Sequence, residues 1–587
     1  MRALVETGAL SGAAGSYRLT RAPHAVEVPA TVQAILAARI DRLAAQDKQL
    51  LQTAAVIGKD VPYALLAAIA DAPEDELRQR LATLQAAEFV YEASLFPDLE
   101  YTFKHALTHE VAYGSLLHER RRALHGKILD ALGRLYAGRL SEWVEQLGQH
   151  ALRAERWDEA VDYLRQAGTK AFARGANREA AHTFEQALAA VGHLPQTRGI
   201  VEQTVDLRLA LRPCLTPLAD MNRLLDNTQR AAPLAATLGD RRREALILLY
   251  QAVALNNLGH AQEGLAAARR GLALAESLSD PLLQMSGQYF AGQSRNVAGA
   301  YREAIGHFEH DVGVSVDALI AQATKPSGPG VLDARSALFT YSFNTADCSA
   351  AYSELGAFEA AMQRAQATVQ VARAVKLVFL DAMAEIQPAR VHLRRGDAGV
   401  ALPLLEHSVE LSRAADFPLA FINAAPELGR AYILAQRPQD AIALLEQAWS
   451  VAESGGSLHW GVLCYMHLAD AYSMAGQQPR ARSTIDHALS IAQQTGFRGR
   501  EAWALFLQGN ILGREPGLEP QVPRSAHRAA LALAEQLGMR PLAAHCHREI
   551  GASLRREDPQ AAHLHTTTAV AMYRDMAMEP WAEAAQA

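Results

Sequence analysis

The chain has 587 residues, more than one hydrophobic core ordinarily serves, so several domains or a repeat array are expected. Half of it is hydrophobic but only 6% is aromatic, so its apolar mass is aliphatic and alanine. With 57 Lys and Arg against 63 Asp and Glu, the net charge is −6, which excludes the general attraction to nucleic acid or anionic membrane of a strongly basic chain.

In chain order, the opening MRALVETGALSGAAG reads as a helix over RALVETGAL. It is not a signal peptide, because Glu6 interrupts it and no continuous apolar core succeeds it. No later run approaches the ~18 apolar residues of a membrane span. The cysteines, Cys214, Cys348, Cys464 and Cys546, stand far apart with no C-x-x-C pair, as in a protein of the reducing cytoplasm. Residues 1–28 form a segment separate from the domain that begins at Pro29.

Residues 29–140 predict a winged-helix domain. VPATVQAILAARIDRL and QDKQLLQTAAVIG read as helices, the first with Pro29 near its start. PEDELRQRLATLQAAEF is a third, with an acidic first turn that suits the helix dipole. EFVYEASLFPDLEYTFKH then gives two β-prone stretches around the turn FPD, with two more helices after it, ALTHEVAYGSLL and ERRRALHGKILDALGRLY. A duplex reader would carry Arg or Lys along its third helix, whereas here Arg78 and Arg80 face Glu74, Asp75 and Glu76. Nucleic acid is therefore not an expected partner.

From 141 to 587 the chain repeats itself. PQDAIALLEQA and QPRARSTIDHA place Ala441 and Ala481 alike, and Ala361, Ala401, Ala441 and Ala481 succeed one another at 40-residue steps. Ala304 stands 57 residues before Ala361, and Gly264 another 40 before Ala304. Tyr352, Tyr432 and Tyr472 mark the other half of the unit, with LGRAYILAQ matching LADAYSMAG. Each unit is thus a pair of amphipathic helices, with a small residue where the two approach. One pair cannot bury its apolar face alone, whereas stacked pairs share a core, so an all-α-dominated solenoid is expected. The long gap holds ATKPSGPGV, whose prolines and glycines cannot continue a helix, and predicts an inserted loop near 321–333. A second irregularity is REPGLEPQVP near 514–523. Trp581, in MYRDMAMEPW, is placed to close the end of the stack.

These units resemble tetratricopeptide repeats of the longer kind found in bacterial signalling proteins. RWDEAVDYLRQAG, with Ala160, Leu164 and Ala167, and NREAAHTFEQALA, with Ala180, Phe184 and Ala187, hold that repeat's small-large-small positions. EYTFKHALTHEVAYGSLLHERRRALH, taken with VPATVQAILAARIDRL, LLQTAAVIGKDV and LRAERWDEAVDYLRQAG, resembles the region after the nucleotide-binding domain in signal-transduction ATPases with numerous domains. These are often joined to a class III adenylate/guanylate cyclase. The resemblance implies the order cyclase, P-loop ATPase, winged helix, repeat arm, with residues 1–28 the remnant of the ATPase segment. It also makes His105, within FKHAL, a nucleotide-sensing candidate if an ATPase domain is present. His109 stands where the resemblance would place glutamine.

No G-x-x-x-x-G-K-[ST] occurs: Gly58-Lys59 is succeeded by Asp60, with Thr53 in the first glycine's place, and Gly126-Lys127 by Ile128, with Arg121 there. The cyclase's metal-binding aspartates have no counterpart either. His105 and His109, with Tyr113 beyond, do not make the zinc motif H-E-x-x-H. His545, Cys546, His547, Glu549, His563 and His565 do not converge on one ion, because helical neighbours one or two apart point to different sides. No nucleophile stands beside a histidine–carboxylate pair, so no catalytic residue, metal or cofactor is expected.

The sequence therefore reads as a non-catalytic sensor arm of a bacterial signalling ATPase or cyclase-type protein. It would bind a protein or peptide on the solenoid and its ATPase or cyclase domain in cis or in trans. The alternatives are a DNA-binding regulator using the winged helix, and part of an active cyclase or ATPase whose catalytic domains lie outside this chain. Replacing Ala441 with Trp tests the register. Overpacking of about 1–3 kcal/mol should speed hydrogen exchange most over 400–480; no local change there would refute the helix-pair assignment.

Overall fold

The computed structural model describes residues 10–11, 18–19, 32–94, 98–323 and 332–586. Two compact units are present, residues 1–168 with 185–195, and residues 169–184 with 196–587. Most of the 1–28 segment, Pro29, residues 95–97 of the expected hairpin turn and residues 324–331 of the expected insertion lie outside the described residues. Leu10, expected at the end of a helix, is instead in a two-residue strand, Leu10–Ser11, paired antiparallel with Arg18–Leu19.

In the first unit, helices Val32–Asp41, Ala45–Ile57 and Glu74–Ala86 form where helical patterns stand in the sequence. Between the last two lie elements that the sequence pattern does not separate, a strand Asp60–Pro62 and a short helix Tyr63–Ile69. Val61 is an isolated buried β-branched residue, too brief a signal for period-two patterning. The strand joins Val90–Ser94 and Glu100–Phe103 in a three-stranded antiparallel sheet with Glu100–Phe103 in the middle. Register pairs Val61 with Tyr101 and Val90 with Phe103, which points their buried side chains at Leu51, Leu66, Leu77, Leu81 and Leu84. Helices Ala106–Gly114, His118–Leu135 and Leu140–Arg153 come next.

The second unit is a succession of helix pairs from Arg198–Leu215 to Pro559–Asp575, finished by Glu579–Gln586. Prolines in the first turn, where a missing N–H costs no hydrogen bond, open Pro281–Val297, Pro418–Leu434, Pro438–Gly455 and Pro559–Asp575. Glycines in the left-handed conformation, such as Gly356 (φ 79°) and Gly456 (φ 75°), end their helices without a Cβ penalty. The second helix of successive pairs buries the same stripe: Ala441, Leu445, Ala448, Ala452 in one, and Ala481, Ile485, Ala488, Ala492 in the next. That four-three-four spacing is one face of a helix. Ala304, Ala361, Ala401, Ala441 and Ala481 are each the fourth residue of their helix and wholly buried. Gly264 holds that place in Ala261–Leu278, where a Cβ would stand 2.2 Å from Asn256 Oδ1.

The pairs wind into a superhelix whose turns touch. The Leu419 N–H donates to the Pro217 carbonyl (3.0 Å), the Ser457 hydroxyl to the Ala219 carbonyl (3.1 Å) and Arg395 Nε to the Ala577 carbonyl (3.2 Å). Among the described residues, no helix is long and apolar enough to cross a membrane.

At Gly455 one turn lies directly against another: a Cβ there would stand 2.3 Å from the Ala219 carbonyl oxygen, a backbone atom that cannot turn aside. Gly455→Ala is expected to lower stability by about 1–3 kcal/mol in urea denaturation. Gly399→Ala, with nothing within 4 Å of the new methyl, should leave stability unchanged or raise it. Equal effects of the two would show that the turns do not touch at Gly455.

Candidate ligand site inside the superhelix

Two successive first helices each carry a buried polar row in the interior of the superhelix, at the spacing of a helical face. Gln387, Arg390 and Arg394 make the row in Ile386–Arg395, and Asn423, Glu427 and Arg430 make it in Pro418–Leu434. All six are buried. Asp347 and Glu354 come from Ala334–Leu355, His467 from Leu458–Met474, and Arg500 and Trp503 from Arg498–Gly513.

These rows interlock across the axis. Arg390 donates from Nε to Glu427 Oε1 (2.8 Å) and from Nη1 to Gln387 Oε1 (2.8 Å). Glu354 joins two turns: one oxygen accepts from Arg394 Nη2 (2.6 Å), the other from the Trp503 indole N–H (2.9 Å). Arg394 and Arg430 both stack on the Trp503 ring, at 4.4 and 5.3 Å from its centroid. Burial acts to raise the Glu427 pKa, but the Arg390 and Arg394 charges overcome it and hold the carboxyl at about 2. Burial pulls His467 down to about 4, and puts His459 and His545 well below the ordinary range, so these imidazoles are neutral near pH 7. Burial also lowers Arg500.

Hydrogen bonding in the interior is incomplete. Arg390 Nη2, Arg394 Nε, Arg430 Nη1 and His459 Nδ1 are buried and have no partner. Beside these rows lies a cavity of about 50 Å³ lined by Arg212, Asn257, Gln293, Asp347, Gln387 and Asn423 among others. There Asn257 Oδ1 and Gln293 Oε1 are also unpartnered. A wider groove of about 900 Å³ lies on the outside, with Phe358, Met362, Arg395 and Met576 in its walls.

The residues singled out from the sequence lie elsewhere. Tyr352, Tyr432 and Tyr472 donate to Glu309, Glu406 and Glu446, at 2.8, 3.1 and 2.5 Å. Arg437 and Arg480 lie over the latter two rings. His105 is an exposed helix N-cap whose side chain caps nothing, while His109 bonds the Ala55 carbonyl through Nε2 (2.9 Å). His545 pairs with the Tyr573 hydroxyl and His547 with His565, so these histidines stand in separate pairs. The four cysteines are buried, and burial pushes the Cys348 and Cys464 thiols up to about 12, which removes their nucleophilic form. The interior arginines are missed by pattern and spacing, although PLAFINAAPELGRAYIL holds the signal: Asn423, Glu427 and Arg430 at helical spacing in an otherwise apolar helix.

No family model matches the chain. An uncharacterised protein of Rhizobium meliloti is 28% identical over 185 residues, 31% of this chain, and the match spans only 18% of that protein's length. Among solved structures, a Rap protein complexed with competence and sporulation factor aligns with TM-score 0.45 at 14% identity, over 62% of this chain and 97% of its own. A signal transduction ATPase with numerous domains carrying a tetratricopeptide repeat sensor, from Pyrococcus horikoshii, aligns with TM-score 0.29 at 11% identity over 94% of this chain and 67% of its own. At these values no residue role, ligand or partner passes from them to this chain.

Asp347 and Glu427 give the interior an opposed pH response. Burial lifts the Asp347 carboxyl from 3.8 to about 6 against the pull of Arg390 and hydrogen bonds from Tyr289 and Gln293. Its folded pKa is raised, so its contribution to stability is present below pH ~4 and lost as pH rises through 6. The Glu427 pKa is depressed, so its contribution is present above pH ~4.5 and lost as pH falls toward 2. Asp347→Asn is expected to raise the urea midpoint at pH 8 and to leave it unchanged at pH 4. Glu427→Gln should lower it at pH 7. A pH-independent effect of Asp347→Asn would mean that this carboxyl does not titrate in that window.

Proposed function

We propose that the chain is a non-catalytic, cytoplasmic sensor arm of a bacterial signal-transduction ATPase, with a winged helix at 29–140 and a tetratricopeptide-type superhelix over 141–587 binding a protein or peptide partner. The observation that carries this reading is the polar axis of the superhelix, where buried groups of successive turns meet and several lack partners. A ligand that satisfies those groups binds the closed superhelix better than a loosened one, and so shifts the population toward it. That differential affinity is what couples an arm to an attached ATPase or cyclase domain, in cis or in trans.

The winged-helix assignment is supported by element order. Helix Ala45–Ile57, strand Asp60–Pro62, helices Tyr63–Ile69 and Glu74–Ala86, then strands Val90–Ser94 and Glu100–Phe103 form a sheet with the last strand central. The expected duplex-reading helix neutralises itself: Arg78 pairs with Glu74, and Arg80 with Glu76, each one turn away. The winged helix then serves as an adaptor, and the exposed His105 is the residue nominated to face a nucleotide held by the ATPase domain.

The test begins with the DNA upstream of the Met1 codon. A frame encoding a P-loop ATPase is expected, with nucleotide turnover that changes at least severalfold when this arm is joined to it or removed. Identical turnover with and without the arm would sink the reading, as would turnover by residues 1–587 alone. Residues 1–140 should give no specific duplex retardation at moderate salt; specific binding there would favour the DNA-binding regulator.

A further inference from the structure

We propose that Arg390, Arg394 and Arg430, with Arg500 beside them, form an oxyanion site inside the superhelix, taking a small molecule that carries phosphate or carboxylate groups. The inference rests on the reading of the polar axis as the ligand-sensing surface and names the ligand's class.

The first ground is charge. Arg394 and Arg430 lie over the Trp503 ring, Arg390 bonds Glu427, and Arg500, one turn before Trp503 on its helix, lies within electrostatic reach of Arg390, Glu354 and Glu427. Each carboxylate is already taken, Glu427 by Arg390 and Glu354 by Arg394. Among the described residues, neither Arg430 nor Arg500 has a carboxylate within ion-pair distance, and the Arg430 side chain makes no hydrogen bond. Arg430 is 8% exposed. The neighbouring histidines, His459, His467 and His545, add no charge near neutral pH. Lysine would answer such a setting by losing its proton, but a guanidinium stays charged. A buried charge with no partner is expensive, and Arg430 is such a charge.

The second ground is the pattern of free donors. Arg390 Nη2, Arg394 Nε and Arg430 Nη1 are buried N–H groups without acceptors. They come from helices Ile386–Arg395 and Pro418–Leu434, while the half-buried Arg500 stands on Arg498–Gly513. An oxyanion offers several acceptors from one centre and suits guanidinium forks. The adjacent cavity, with Arg212, Gln387 and Asn423 in its wall, leaves room beside the cluster for polar atoms of the same molecule.

The experiment titrates the full chain with inorganic phosphate and, separately, with glutarate, at constant ionic strength set with sodium chloride, by calorimetry and thermal unfolding. A saturable isotherm near one site per chain is expected, with a rise in unfolding midpoint for at least one probe. Which probe binds tells a phosphate ligand from a dicarboxylate. Arg430→Met should weaken that binding about 10- to 100-fold. In buffer without either probe it should unfold no earlier than the parent, because it removes an unpaired charge and keeps the apolar stem. Arg500→Gln is the second variant and should weaken binding alike. Binding equal in parent and variants would mean an adventitious ion only and overturn the proposal, as would no binding of either probe. Because binding is read without an ATPase, the two readings fail separately. Binding alongside an ATPase indifferent to the arm sinks only the signalling role, and no binding alongside a responsive ATPase sinks only this site.

Discussion

The second unit depends on a carboxylate that has two masters. Glu354 accepts from Arg394 with one oxygen and from Trp503, 149 residues further on, with the other. Both bonds lie in the dry interior, where a charged acceptor is strong when satisfied and costly when not. Around it the apolar stripes of the second helices settle how neighbouring pairs stack. Stacking alone would give an open spiral. The interior bonds, with the backbone contacts at Pro217, Ala219 and Ala577, make successive turns meet.

The division between what the sequence disclosed and what it withheld comes from distance along the chain. The 40-residue step of Ala361, Ala401, Ala441 and Ala481 is legible because each must fit against its own neighbouring helix, a local demand repeated in every unit. The three tyrosines recur for the same reason, Tyr432 and Tyr472 each reaching a glutamate on the preceding helix and Tyr352 the glutamate that ends Tyr301–Phe308. The strand Asp60–Pro62 escaped because three residues cannot display a period, and only its pairing with Glu100–Phe103 makes it a strand. The interior arginines escaped because most of their partners, Glu427, Glu354 and Trp503, sit tens of residues or more away in no repeating pattern. Arg430 marks the limit well: it stands two residues before the conspicuous Tyr432, on another face of the same helix.

The histidines show how burial changes the meaning of a composition. In the first unit, His125 and His150 meet Nδ1 to Nδ1 at 2.8 Å, and burial with neighbouring positive charge takes them down to about 3 and 4. His545 and His467 are likewise kept neutral in the second. These side chains act as hydrogen-bonding core residues, not as switches near neutral pH. An aspartate inside the superhelix behaves differently: burial lifts Asp347 to about 6.

The contact of Ser457 with Ala219 also orders events during synthesis. The early helix pairs emerge from the ribosome 238 residues before the chain that will cover them. At ordinary elongation rates that is an interval on the order of ten to fifty seconds. Until the covering turn arrives, each part of the polar interior faces water as it emerges. Charged and amide side chains there keep the half-made spiral soluble, where an apolar lining would expose a sticky trough to every neighbouring nascent chain. The same residues that leave the finished interior short of partners thus protect the unfinished one.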